Sequence, residues 1–133
     1  MKDRMVHRYY CDYCKKAGCG KGAIIKHELH CTMNPNRVCR MCAIGGWEQP
    51  KMETLLAILP DGTKQPYEEI RLVMDLTIKE LRRATKECPA CMFAALRQAH
   101  LDVGDYAEYF DFSNEAREFI NRSNMKNPNN YEY

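Results

Sequence analysis

Six of the eight cysteines in this 133-residue chain fall in three C-x2-C pairs, Cys11/Cys14, Cys39/Cys42 and Cys88/Cys91. That spacing serves either a disulfide framework in an oxidising compartment or thiolate ligation of a metal in a reducing one. The opening segment MKDRMVHRYY is charged and lacks the apolar run of about 7 to 15 residues that a secretory leader carries. No stretch approaches the roughly 18 consecutive apolar residues of a membrane span. The expectation is therefore metal ligation in the cytoplasm or nucleus, without a membrane. Zinc is the ion that suits this mixture of thiolates and imidazole. A chain of this length can bury an adequate core unaided, so the cysteines are not demanded by size alone.

The run Cys11-x2-Cys14-x12-His27-x3-Cys31 has zinc-finger spacing. A tight turn presents two thiolates, and a helix presents two further ligands one turn apart. Residues 9–31 resemble the ββα finger of the two-Cys two-His family, in the variant with Cys as the last ligand. Tyr9 stands at the family's aromatic position before the first Cys, and Ile24 at its core Leu. Gly18 departs from the pattern, because the family has a core Phe there. The turn is then open to reshaping, and the neighbouring Cys19 to service as another ligand. His30 competes with Cys31 for the fourth position, since i,i+3 and i,i+4 both lie near one helix face. The finger spacing favours Cys31. In this family, DNA is read from four helix positions that correspond here to Gly20, Gly22, Ala23 and Lys26. Three of those side chains cannot make a base-specific hydrogen bond.

Cys39/Cys42 and Cys88/Cys91 supply the ligands of a second, closed site across the 45 residues that separate the pairs. A cross-brace that pairs Cys11/Cys14 with Cys39/Cys42, and His27/Cys31 with Cys88/Cys91, uses the same residues. Local completion of the finger argues against it. Two bound zinc ions are expected.

The fold class that follows is mainly α, a small zinc-stabilised chain with a ββα-like finger and a helical region clipped by four cysteines. Residues 1–36 form the finger segment, 37–123 the clipped helical domain and 124–133 a flexible tail. Asn34-Pro35-Asn36 reads as a turn. Past Gly45-Gly46, Pro50 leads into a short helix carrying Met52, Leu55, Leu56 and Leu59, which ends at Pro60-Asp61-Gly62. The longest helix is expected over 66–87, with Ile70, Val73, Met74, Thr77, Leu81 and Ala84 at helical spacing. Leu72 and Leu76 widen its stripe and predict a central helix packed on two sides. Another helix is expected from Met92 to about His100, with Phe93 and Leu96 inward. Ser113 is placed as N-cap of a last helix through about Arg122, with Glu115 in its first turn.

Charge divides the chain. Residues 1–40 hold nine basic and three acidic side chains, a balance of +6, which leaves −4 for the rest of a chain of net charge +2. A basic end is suited to a polyanion, and Lys15, Lys16, Lys21 and Lys26 are the residues expected to touch nucleic-acid phosphates. A second class of partner is a protein, met by the acidic region that carries Tyr106, Tyr109, Phe110, Phe112 and Phe119.

Enzyme chemistry fits poorly. An HNH nuclease needs histidines between its cysteine pairs to hold a catalytic metal, and residues 43–87 have none. His27-Glu28-Leu29-His30-Cys31 nearly matches H-E-x-x-H, but a Cys replaces the second His and Cys11/Cys14 compete for the open coordination position. A zinc deaminase needs P-C-x-x-C, whereas Pro89 follows Cys88. The expected action is binding, with no catalytic residues and no small-molecule substrate.

Overall fold

The computed structural model describes residues 1–126. It begins with two short antiparallel strands, β1 (Tyr9–Tyr10) and β2 (Ala17–Gly18), in the register Tyr9↔Gly18 and Tyr10↔Ala17. Seven helices follow among the described residues: α1 (Lys21–His30), α2 (Arg40–Gly45), α3 (Met52–Ile58), α4 (Tyr67–Ala84), α5 (Pro89–Gln98), α6 (Val103–Tyr106) and α7 (Phe112–Lys126). The expectation of a mainly helical chain with an N-terminal ββα segment is thus met. None of these helices is long and apolar enough to cross a membrane.

The finger has little core of its own. Helix α1 buries only Ile24, has no side-chain cap at Gly20 and carries no acid in its first turn. A Cβ added to Gly18 would lie 3.8 Å from Ile24 Cδ1, so the place of the family's core Phe is open beside Ile24. A helix of 10 residues with so little packing is marginal by itself in water.

The helical part, by contrast, packs around α4. Glu68 and Glu69 in the first turn and Arg82 and Arg83 in the last complement the helix dipole. Ile70, Met74, Thr77, Ile78 and Leu81 are buried on one side, against α3 and α6. Leu55, Met92 and Leu96 from α3 and α5 complete the sealed centre. The two-sided packing expected of α4 is not observed. Leu72 is 84% exposed and Leu76 67%. At about 100° per residue, they project from the side opposite Met74 and Ile78.

Other boundaries differ from expectation for local reasons. Helix α5 begins at Pro89, not Met92, because proline is accepted at the first helical position and Cys88 serves as N-cap. Asp111 rather than Ser113 stands at the cap of α7, its carboxylate accepting from the Asn114 backbone N–H at 3.3 Å. The same helix runs on to Lys126, and the rest of the expected tail, 127–133, lies outside the described residues. Helix α4 stops at Ala84, where the Thr85 hydroxyl donates to the Leu81 carbonyl at 2.9 Å. Lys86 and Glu87 then take left-handed conformations (φ 53° and 65°) that turn the chain toward Cys88. Gly62 has no room for a side chain, since a Cβ there would collide with the His100 carbonyl.

The C-terminal aromatics are part of this core. Tyr106, Phe110 and Phe119 are buried, Phe112 stacks on Phe93 at 5.0 Å, and Phe119 meets the edge of Trp47 at 5.8 Å. The finger is seated on the helical part by polar contacts. Arg97 donates to the Thr32 hydroxyl at 2.7 Å, and Gln98 Nε2 donates to the carbonyls of Thr32 and Asn34 at 2.8 and 3.1 Å. Asn34 is buried at the expected turn and donates to the Glu28 carbonyl at 2.7 Å, closing the end of α1.

The two faces of α4 should respond differently to substitution. Leu81→Ala is expected to cost about 2–5 kcal/mol, whereas Leu72→Ser and Leu76→Ser should each change stability by less than about 0.5 kcal/mol. Urea unfolding of the three variants checks this, and equal losses would contradict the exposure of Leu72 and Leu76.

Candidate metal centres

Two clusters bring ligand atoms within 4.8 Å of one another: Cys11, Cys14, His27 and Cys31 in the finger, and Cys39, Cys42, Cys88 and Cys91 in the helical part. Each cluster draws its members from its own segment, so the geometry is that of two local sites and not of a cross-brace.

In the finger, the turn after β1 folds back on its sulfurs. Tyr13 N–H donates to Cys11 Sγ and Lys16 N–H to Cys14 Sγ, both at 3.4 Å, while Cys11 N–H closes the turn on the Lys16 carbonyl at 2.9 Å. Across the site, His27 Nε2 lies 3.1 Å from Cys14 Sγ. Burial opposes ionisation of Cys14, but the Lys16 amide and the His27, Cys11 and Cys31 side chains bring its thiol down to about 7. Burial holds the Cys31 thiol up at about 11. A divalent cation among them would make both thiolates.

His30 takes no part in this cluster. Its Nδ1–H donates to the Val38 carbonyl at 2.8 Å, and its Nε2 accepts from Arg40 Nε at 3.1 Å. Cys19 is exposed and also lies outside both clusters.

The second centre repeats one local design. Cys39 is the N-cap of α2 with Cys42 in its first turn, and Cys88 is the N-cap of α5 with Cys91 in its first turn. The C-x2-C spacing is thus the spacing from N-cap to the third helical residue, where side chains meet the unpaired N–H groups of a helix start. Cys42 N–H donates to Cys39 Sγ at 3.4 Å in this way. Across the two helix starts, Cys39 Sγ lies 3.5 Å from Cys88 Sγ and Cys42 Sγ lies 3.4 Å from Cys91 Sγ. Those separations are far beyond the roughly 2.05 Å of a disulfide. They are close to the edge of about 3.8 Å of a tetrahedron with Zn–S bonds of about 2.3 Å. All four cysteines are buried.

Arg37 is placed to offset negative charge on such a cluster. Its side chain is buried at 5% exposure, and Nη1 donates to Cys91 Sγ at 3.7 Å. Nε is buried with no partner, and no carboxylate pairs with the guanidinium among the described residues. An unpaired buried cation costs several kcal/mol, and the sulfurs are the groups beside it that could supply a counter-charge. Burial lowers the Arg37 pKa, yet the neighbouring Cys91 and Cys39 outweigh that and raise it. Without a metal the thiols divide, hydrogen bonds from Cys42, Cys88 and Cys91 pulling Cys39 down while contact with Cys39 pushes Cys42 and Cys88 up. A divalent ion lets all four ionise together, and the resulting excess of negative charge is what Arg37 offsets. The residues therefore fit a zinc-like ion in a closed, structural site. Gln49 holds the arrangement from outside, its Oε1 accepting from Cys39 N–H and its Nε2 donating to the Arg37 carbonyl, each at 2.6 Å.

Sequence reasoning did not find Arg37, Gln49 or the link from His30 to Arg40. The one available signal was the position of Arg37, two residues before Cys39. The expected phosphate-contacting residues Lys15, Lys16, Lys21 and Lys26 are all exposed. No known family, characterised protein or solved structure matches the chain.

If Arg37 balances a metal tetrathiolate, Arg37→Met should accelerate loss of one metal ion to a chelator by about 10- to 100-fold. Cys19→Ser should leave that rate unchanged. A colorimetric chelator assay reads both, and an unaltered rate in Arg37→Met would show that the thiolates do not depend on it.

Proposed function

We propose that this chain is a zinc-stabilised, non-enzymatic binding protein of the cytoplasm or nucleus. Its finger holds nucleic acid by the phosphate backbone with little reading of base sequence. The observation that carries this reading is the state of Lys15, Lys16, Lys21 and Lys26. All four are exposed, and none has a carboxylate partner among the described residues. The ion pairs that do form, Asp75–Lys79, Glu115–Arg82 and Glu87–Arg122, all lie in the helical part. Gly20, Gly22 and Ala23 occupy positions where a sequence reader needs long polar side chains, which supports contact without readout.

Both clusters supply four protein ligands, and a closed coordination shell suits a structural ion better than a catalytic one. Docking on a protein through the acidic aromatic region has less support, because Tyr106, Phe110 and Phe119 are buried.

Affinity for DNA or RNA should fall steeply with salt. Three to five phosphate contacts would give a log–log slope of about −3 to −4.5 for duplex DNA. Replacing the four lysines by glutamine should flatten the slope and weaken unrelated sequences alike. Fluorescence anisotropy measures it, and absence of binding at low salt would remove the nucleic-acid reading.

A further inference from the structure

A shallow groove of about 350 Å³ crosses the basic face, lined by Lys16, Ala23, Lys26, His27, His30 and Arg40. Its cations come from three separate segments. Lys16 sits just before β2, Lys26 on α1, and Arg40 at the first position of α2. The finger cluster ties the first two together, and the Val38 N–H to Leu29 carbonyl bond at 2.8 Å brings the start of α2 alongside the end of α1. No carboxylate lines the groove.

Arg40 differs from the lysines in being held. Val38 O can only accept, so the bond at 2.8 Å places the His30 proton on Nδ1 and leaves the Nε2 lone pair to receive Arg40 Nε–H at 3.1 Å. That bond uses the inner nitrogen of the guanidinium and leaves its two terminal nitrogens for a ligand. A planar fork of N–H donors flanked by two ammonium groups is matched by a tetrahedral oxyanion with several acceptor oxygens. Three thiolates outweigh a divalent ion in the finger site by a single charge, fewer than the three cations of the groove. The groove thus stays positive with the metal in place.

We infer that Lys16, Lys26 and Arg40 form a preassembled seat for one backbone phosphate of a nucleic acid, with His30 as the positioning residue that aims Arg40. The inference rests on the nucleic-acid reading above and adds to it a specific seat where charge alone would predict a diffuse surface. It also gives His30 a role that its place beside the finger ligands does not suggest.

Variants that keep charge but lose geometry separate the two. Fluorescence anisotropy with a labelled DNA duplex is expected to show Arg40→Gln weakened about tenfold, with the salt slope reduced by about 0.9. Arg40→Lys retains the charge, yet lacks the fork and the Nε–H that His30 accepts, and should lose at least about threefold. His30→Ala removes no charge and should lose a similar factor while native mass spectrometry shows both metal ions retained. Arg117→Gln, a charge removal on α7, should leave affinity as it was. Should His30→Ala lose its metal, Arg40→Lys decides alone, since it alters no cluster residue. If the wild-type chain binds and Arg40→Lys matches it, Arg40 supplies only diffuse charge and the seat is wrong, although the nucleic-acid reading stands. If the wild-type chain does not bind, both fall.

Discussion

Four sulfurs and one buried guanidinium hold the helical part of this molecule in register. Cys39 and Cys88 cap two helices, Cys42 and Cys91 lie in their first turns, and the four meet 3.4–3.5 Å apart across the helix starts. Two elements 45 residues apart in the chain are thereby fixed end to end. The segment between them packs α3 against both α4 and α5. Left-handed backbone at Lys86 and Glu87 is tolerated there because it delivers Cys88 to the cluster. Arg37 makes the charge state of that cluster a structural requirement, since a buried cation next to neutral thiols would be a liability of several kcal/mol.

The two halves of the chain depend on their clusters to different degrees. The helical part has a sealed apolar centre in Leu55, Met74, Ile78, Leu81, Met92 and Leu96. Its cluster sets the arrangement of helix ends more than it supplies the cohesion. In the finger the balance is reversed. Ile24 is the only buried residue of α1, its N-terminus has no side-chain cap, and the strands are two residues long. A metal ion held by His27 and Cys31 would supply most of what keeps α1 helical, and folding there would be coupled to its binding. Little of this small basic module is spent on a core, which leaves its surface free.

Spacing made the ligand sets legible, because C-x2-C and His-x3-Cys are short-range patterns that a turn or a helix converts directly into a cluster. Tyr9 and Ile24 likewise marked the finger's strand and helix. Periodicity misplaced Leu72 and Leu76, since it reports which residues share a side of a helix and not whether a neighbour covers that side. The start of α5 at Pro89 lies ahead of the expected Met92, because proline is accepted at the first helical position. Cys88–Cys91 form its N-cap and first helical turn. Arg37, Gln49 and the His30–Arg40 pair were beyond reach, because each depends on contacts fixed only once both clusters have closed. The aromatics of the acidic region alternate with charges along the chain, yet Tyr106, Phe110 and Phe119 are buried in the structure, which that alternation does not reveal.

A finger segment whose basic face has no carboxylate partner among the described residues, seated on a helical body, is the arrangement from which the proposed function follows. It stands on both clusters holding metal at once, since the basic face is assembled from segments that each cluster positions. The most direct measurement is native mass spectrometry of the protein purified under reducing conditions, with the metal identified by elemental analysis. The account predicts two zinc ions per chain. A chain carrying one ion or none, or one whose mass shows cysteines joined in disulfides, would contradict it.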